Sequence, residues 1–286
     1  MLDPADIEAF RNSGYLVVPG VVGSEDLAAM RHELAGWIEE SREHRSNYGA
    51  MPRNKLRFDL EPGHSAEAPR LRRVANPVDI SAVFRRVLWD DRIPDLVADL
   101  IGPSIKFHHC KLNIKLPGMK TYVGWHQDHA YDPHTNDDIV VALVLLDDMN
   151  EENGCLHVVP GSHRERHSHY RGDAFVGEPA PELAEDFARR SVPIIGRAGD
   201  VCLMDTWMVH GSPANRSSEP RRLLICDYTA ADAFPLTLMQ VPTPEAGRIL
   251  RGSATRLARF RAGSVELPPV YEADSVFGVQ NQGTSQ

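Results

Sequence analysis

The stretch Ala198-Gly199-Asp200-Val201-Cys202-Leu203-Met204-Asp205-Thr206-Trp207-Met208-Val209-His210-Gly211-Ser212 decides how this chain is read. A Gly-Asp turn feeds an apolar run, and the run delivers His210 near its end. Outward from it lie similar short runs rich in Val, Ile and Leu, at 105–115, 139–146, 156–159, 192–195, 201–204 and 223–228. Turn signals separate them: Pro117-Gly118, Asn153-Gly154 and Pro160-Gly161. Short strands at this spacing predict a mainly β protein, a sandwich or barrel, with helices packed on one face.

Those helices are expected in the N-terminal part. Asp3 can cap a helix that starts at Pro4, carries Ile7 and Phe10 on one face and stops at Gly14. A short strand follows at 15–18. Ser24 is then the expected cap of a second helix, with Leu27, Met30, Leu34, Trp37 and Ile38 at helical spacing. Residues 43–69 are polar and broken by Gly and Pro, which predicts a mobile loop or lid. A helical pattern over 80–100 contains Pro94 and should break there. The segment 162–190 is charged and reads as a second long loop, and the tail past Phe277 is expected to fray. No linker separates two domains, so 1–286 is expected to be one domain: a helical part to about 102, a β core over about 103–230 and a C-terminal extension, 231–286.

Composition narrows the function. With 31 Lys+Arg against 40 Asp+Glu the net charge is −9, too acidic for a generic nucleic-acid or anionic-membrane binder. At 42% hydrophobic and 25% charged residues the chain can bury a large core. No run approaches the roughly 20 apolar residues of a membrane helix. The first residues lack a basic and an apolar leader region, so the expected compartment is the cytoplasm. Cys110, Cys155, Cys202 and Cys226 lie far apart without CxxC spacing and read as small buried hydrophobes. Histidine is the unusual count, thirteen in all.

In Gly124-Trp125-His126-Gln127-Asp128-His129, His126 and Asp128 are two apart, so on extended chain both project from one face. Alone, HxD is a weak signal. With His210 it makes two imidazoles and one carboxylate, the facial triad of non-haem Fe(II) oxygenases, which leaves three metal positions open. Arg221, eleven residues after His210, could clamp a remote carboxylate in the bidentate manner lysine cannot match.

The order HQD, ENGCLHVVPGSHR (152–164), AGDVCLMDTWMVHGS (198–212) and PRRLL (220–224) resembles the phytanoyl-CoA dioxygenase family of Fe(II)/2-oxoglutarate oxygenases, which includes ectoine hydroxylase-like enzymes. The resemblance spans about residues 5–230. It implies a double-stranded β-helix, a cupin-like jelly roll, with iron held by His126, Asp128 and His210 as catalytic centre. It also implies that Arg221 and Ser212 bind the far carboxylate of 2-oxoglutarate, and that Asn113 contacts this co-substrate. Arg222 is the rival of Arg221, because neighbours on a strand face opposite ways. The implied reaction uses Fe(II), 2-oxoglutarate and O2 to hydroxylate an unactivated C–H bond of a small molecule, with succinate and CO2 as co-products. Desaturation, epoxidation and cyclisation are alternatives within the class. Related halogenases have a small residue where this chain has Asp128, which argues for hydroxylation or desaturation. A cupin-like binding protein or a zinc hydrolase could use the same triad, but neither needs the Arg221–Ser212 clamp.

Other residues stay open at this level. His163, His167 and His169 form H-x3-H-x-H in an arginine-rich loop, which reads as solvated rather than metal-binding, with contact to a substrate anion as the alternative. His108 and His109, consecutive on a strand, should point to opposite faces. His129, Tyr131 and His134 should border the iron, and Trp125 and Trp207 read as core or as pocket lining. Lys111 projects to the same side as Asn113, or snorkels outward. Lys111, Arg72, Arg73 and the histidines favour a carboxylated or zwitterionic substrate, and segments 43–69 and 163–190 are candidates to close over it.

Overall fold

The structure, a computed structural model, describes residues 1–269 and Gln280. Apart from Gln280, the tail past Phe277 lies outside the described residues. Asp3 caps α1 (Pro4–Ser13) in a reciprocal box with Asp6, and Gly14, at φ 82°, ends it. Strand β1 (Tyr15–Val18) follows, then α2 (Ser24–Ser41), whose cap is the extended Gly23 and not Ser24, the first helical residue.

The expected lid at 43–69 is instead part of the sheet. Strands β2 (Tyr48–Ala50) and β3 (Leu56–Leu60) form a hairpin whose turn holds Arg53 and Asn54 at positive φ. In Leu56-Arg-Phe-Asp-Leu the apolar residues alternate with Arg57 and Asp59, which are buried as ion pairs with Asp79 and with Arg72. Next come β4 (Leu71–Ala75), the single-turn α3 (Ala82–Arg85), a π-helical turn (Arg86–Asp90) and α4 (Arg92–Ile101). The break falls at Asp91, ahead of Pro94; the proline sits in the first turn of α4, where its missing N–H costs no bond.

The β core is β5 (Ile105–Lys115), β6 (Val123–His126), β7 (Ile139–Leu145) and β8 (His157–Val158). It continues through a small hairpin of β9 (Tyr170–Arg171) and β10 (Ala174–Phe175), then α5 (Ala184–Arg190) and β11 (Val192–Pro193). Strands β12 (Val201–Asp205), β13 (His210–Ser212), β14 (Arg221–Ala230) and β15 (Ile249–Arg251) complete it. The major sheet runs β1-β12-β7-β14-β5-β4-β3-β2, with β15 on the end of β5, and the minor sheet runs β11-β8-β13-β6.

Strand β7, Ile-Val-Val-Ala-Leu-Val-Leu, is buried throughout because it has a core on each side. Val140, Ala142 and Val144 join Met30, Leu34, Phe84 and Leu96 of the helical layer. Val141, Leu143 and Leu145 face Leu156 and Val158, on the minor-sheet side. The result is helices, major sheet and minor sheet in three layers. Among the described residues no helix is long and apolar enough to cross a membrane, and all four cysteines are buried and free.

On β5 the alternation slips. Ile105 and Phe107 enter the helix-side core, and then Cys110, Leu112 and Ile114 do. The register explains the slip: Tyr228 faces Phe107 and Asp227 faces His109, which leaves His108 as an extra residue. This β-bulge puts His108 and His109 within reach of one carboxylate, Asp132, contrary to the expectation that consecutive strand residues face apart.

Candidate metal centre and active site

Strand β6 ends on His126 and β13 begins on His210, and the two residues are direct cross-strand partners. Gln127 continues the extended backbone and Asp128 opens a short 3-10 turn, so its carboxylate returns to the same side. His126 Nε2 is 3.6 Å from Asp128 Oδ1, His210 Nε2 is 3.7 Å from Asp128 Oδ2, and the two ring centroids are 4.1 Å apart. One ligand atom from each of the three lies within 4.8 Å of the others.

Backbone bonds orient the rings for this. His126 Nδ1 donates to Gly124 O (2.9 Å) and His210 Nδ1 donates to Met208 O (3.0 Å). A carbonyl can only accept, so each Nδ1 carries a proton and each Nε2 is the ring nitrogen turned inward to face a metal. Burial also pulls the His210 imidazole down to about 4, which keeps it neutral. Burial alone would raise the Asp128 carboxyl, but His210, His126 and Lys111 hold it well below the usual range. Two imidazoles and an anionic carboxylate in one buried corner fit a divalent iron.

Two small cavities, each about 50 Å³, meet at this corner and share Lys111, Asn113, His126 and Asp128. One continues past His210 between Val141, Leu143, Leu156 and Ile225 to Ser212, Arg221 and Lys115. The other is bounded by Arg73, His109, Tyr131, Asp132, Asp227 and Gln240. A wider groove of about 480 Å³ lies past Trp125 and Phe187 and touches none of the three converging residues.

Arg221 faces the inner cavity, buried, its Nη2 donating to Gly154 O (2.9 Å); Arg222 turns the other way, to Asp147 (2.7 Å). Asn113 also reaches this cavity, its Oδ1 buried without a hydrogen-bond partner. Lys111 lines both cavities and does not snorkel outward. Sequence reasoning missed Lys115. It donates to Ser212 Oγ (2.7 Å) and Ser212 O (2.9 Å), and burial with the nearby Arg221 pulls its pKa down to about 6. The signal was available, since Lys111, Asn113 and Lys115 sit at i, i+2 and i+4 of one strand.

The expected solvated cluster at 163–169 does not hold. His169 is fully buried, its Nε2 accepting from Gln127 N (3.0 Å) behind the metal corner. His163 Nε2 meets Arg11 O and His167 Nε2 meets Glu165, so the three imidazoles go to three different partners. Residues 163–190 are held by the β9–β10 hairpin and by α5, which buries Phe187. Trp207 stacks on His129 (4.1 Å) under Arg166 (4.0 Å), and Trp125 faces Phe187; neither lines the two cavities.

Comparison with known proteins gives the family. The profile of the family described as Phytanoyl-CoA dioxygenase (PhyH) matches residues 10–223. A "Probable alpha-ketoglutarate-dependent hypophosphite dioxygenase" of Stutzerimonas stutzeri is 28% identical over 233 residues, covering 79% of this chain and 78% of its own. An ectoine dioxygenase of Streptomyces avermitilis is 27% identical, with 76% and 75% covered. The iron-bound crystal structure of EctD from S. alaskensis superposes with a TM-score of 0.70 at 23% identity, over 89% of this chain and 88% of that one. Its fold is the double-stranded β-helix, and the two sheets described above have that architecture. The chain belongs to the phytanoyl-CoA dioxygenase family and is a dioxygenase that works with Fe(II), 2-oxoglutarate and O2.

Proposed function

We propose that His126, Asp128 and His210 hold the Fe(II), that 2-oxoglutarate occupies the cavity ending on Arg221, and that the enzyme hydroxylates an unactivated C–H bond of a small metabolite in the other cavity. The meeting of both cavities at His126 and Asp128, with His210 on the wall of the inner one, carries this reading, because it brings co-substrate and substrate to the same ion. When bound, the iron supplies O2 activation coupled to decarboxylation of 2-oxoglutarate to succinate and CO2.

The residues supply placement. Arg221, Lys115 and Ser212 offer a guanidinium, an amine that an arriving carboxylate would protonate, and a hydroxyl at the far end of an apolar slot, which suits the remote carboxylate of a dicarboxylic acid. Asn113 and Lys111, on the shared wall, suit the chelating end. Asp128 would fill a metal position that a halide needs, which favours hydroxylation over halogenation. The apolar walls exclude water while the reactive state lasts.

The substrate is carboxylated or zwitterionic in this reading. Its cavity combines Arg73 and Lys111 with Asp132 and Asp227, so groups of either sign find a partner. The relatives point the same way, one being named for hypophosphite, an anion, and one for ectoine, a zwitterion. We place the reaction in the cytoplasm.

Anaerobic enzyme loaded with Fe(II) and 2-oxoglutarate, then mixed with O2 and a panel of amino acids, betaines and phosphorus oxyanions, tests this. One substrate is expected to speed succinate formation and to gain one oxygen by mass spectrometry. A product two hydrogens lighter would replace hydroxylation by desaturation. Iron-loaded enzyme that never forms succinate under O2 would refute the oxygenase.

A further inference from the structure

The bulge on β5 gathers polar atoms that the oxygenase centre does not use. We propose that His108, Asp132 and His134 form a second divalent-cation site, of the zinc class, beside the iron centre and separate from it. The inference does not depend on the substrate or reaction proposed above.

The three residues offer one ligand atom each within 4.8 Å of one another, as do the iron-site residues; these are the two such groups among the described residues. His134 is set as a ligand in the same way as His126 and His210. Its Nδ1 donates to the carbonyl two residues back, Asp132 O (2.8 Å), so Nε2 carries the lone pair. That Nε2 is buried and has no hydrogen-bond partner. The residue is 2% exposed, which cuts it off from bulk solvent. His169 makes the same i−2 bond, but its Nε2 is occupied by Gln127 N. The free lone pair on His134 is therefore specific to this cluster.

The rest of the shell fits. Asp132 turns Oδ2 to His108 Nε2 and leaves Oδ1 buried without a hydrogen-bond partner. The His108 and His134 rings lie 4.7 Å apart and nearly perpendicular, so both can present an edge nitrogen to one point. His109 Nδ1, likewise buried and without a hydrogen-bond partner, is 3.9 Å from Asp132 Oδ2. Lys106, the nearest cation on the strand, is turned away, with Nζ on Ala231 O (3.1 Å) and over the Phe234 ring. By itself the cluster holds polar atoms in the interior without hydrogen bonds, which is unfavourable. Two imidazoles and a carboxylate around one cation satisfy them and leave a further position for water, the donor set of an open zinc site. Such an ion ties β5 to the loop that begins at Asp128, and Asp132 itself lines the substrate cavity.

Metal stoichiometry tests this without reference to turnover. Full-length protein, stripped with a chelator and titrated with Co²⁺ and with Zn²⁺, is expected to bind two equivalents tightly. His134→Ala and His108→Gln should each bind one and still give the charge-transfer absorption of Fe(II) with 2-oxoglutarate. Asp128→Ala should also bind one but lose that absorption, and the Asp128→Ala/His134→Ala pair should bind none. Wild-type protein that binds a single equivalent overturns the proposal whatever the variants do. So does a folded His134→Ala protein that still binds two.

Discussion

Asp128 shows how one side chain can hold a site together, because its two oxygens face two different histidines, at 3.6 and 3.7 Å. Asp128→Ala removes the only carboxylate among the three proposed ligands, and metal content should fall below about a tenth of an equivalent at that site, with activity down at least about 100-fold. Iron-dependent turnover close to wild type would show that the triad is misassigned. Lys115 makes a different kind of prediction. Its pKa, near 6 against an ordinary 10.5, means that it is mostly neutral at pH 8 until a carboxylate arrives beside it. Binding of 2-oxoglutarate should therefore take up a proton at pH 8 and progressively less below pH 6. Calorimetry in buffers of different ionisation enthalpy reads this directly, and no buffer dependence at pH 8 would count against the lysine. The sign for folding is also fixed. Between about 6 and 10.5 the native state binds fewer protons at Lys115 than the unfolded chain, so this residue makes stability rise with pH in that window. At this scale much was legible in the sequence. Strand alternation separates Arg221 from Arg222 once one of them is known to face inward. For Lys115 only the shared strand face with Lys111 and Asn113 was legible; that Ser212 and two carbonyls receive its Nζ depends on the neighbouring strand.

Among the elements, the Asn153-Gly154 turn connects scaffold to chemistry. Gly154 sits at φ 72°, a Cβ there would lie 2.6 Å from Pro213 O, and its own carbonyl accepts from Arg221. Gly154→Ala must push the chain after β13 away and shift the arginine, costing about 1–3 kcal/mol. We expect a lower melting temperature together with a raised KM for 2-oxoglutarate, measured on the same preparation. A lower Tm with unchanged KM would restrict the turn to a scaffold role. Helix α1 and strands β1 and β5 were readable because caps, period and β-branched composition agree there. The β2–β3 hairpin was not. Its turn has no Asn-Gly or Asp-Gly pair, and the buried face of β3 carries Arg57 and Asp59, whose partners lie far along the chain. The bulge at His108 was hidden for a related reason. It is a property of the pairing with β14, and β5 alone reads as a regular strand.

For the molecule as a whole, the two cores on either side of the major sheet divide the work. The helix-side core sets stability, while the one between the sheets forms the apolar wall of the inner cavity through Val141, Leu143, Leu156 and Leu223. Leu203→Ala, in the helix-side core, should cost about 2–5 kcal/mol. Affinity for Fe(II) in the protein that remains folded should stay within about threefold. Chemical denaturation and metal titration together check this, and a parallel loss of affinity would mean that the layers are not separable. The alternation of β12, with Val201 and Leu203 on one side and Cys202 and Met204 on the other, foreshadowed two cores in the sequence. The layer order required knowing which strands pair.

The direct pairing of His210 with His126 across β13 and β6 also bears on how the protein is made. A slip of one residue would place Val209 or Gly211 opposite His126 and turn His210 to the far face. Only correctly registered chains could then capture iron. Because a ligand that binds the native state alone draws the population toward it, the metal would act during synthesis as an inspector of strand alignment as well as a reagent. Cells short of iron would be expected to accumulate misaligned, protease-sensitive enzyme in addition to inactive enzyme.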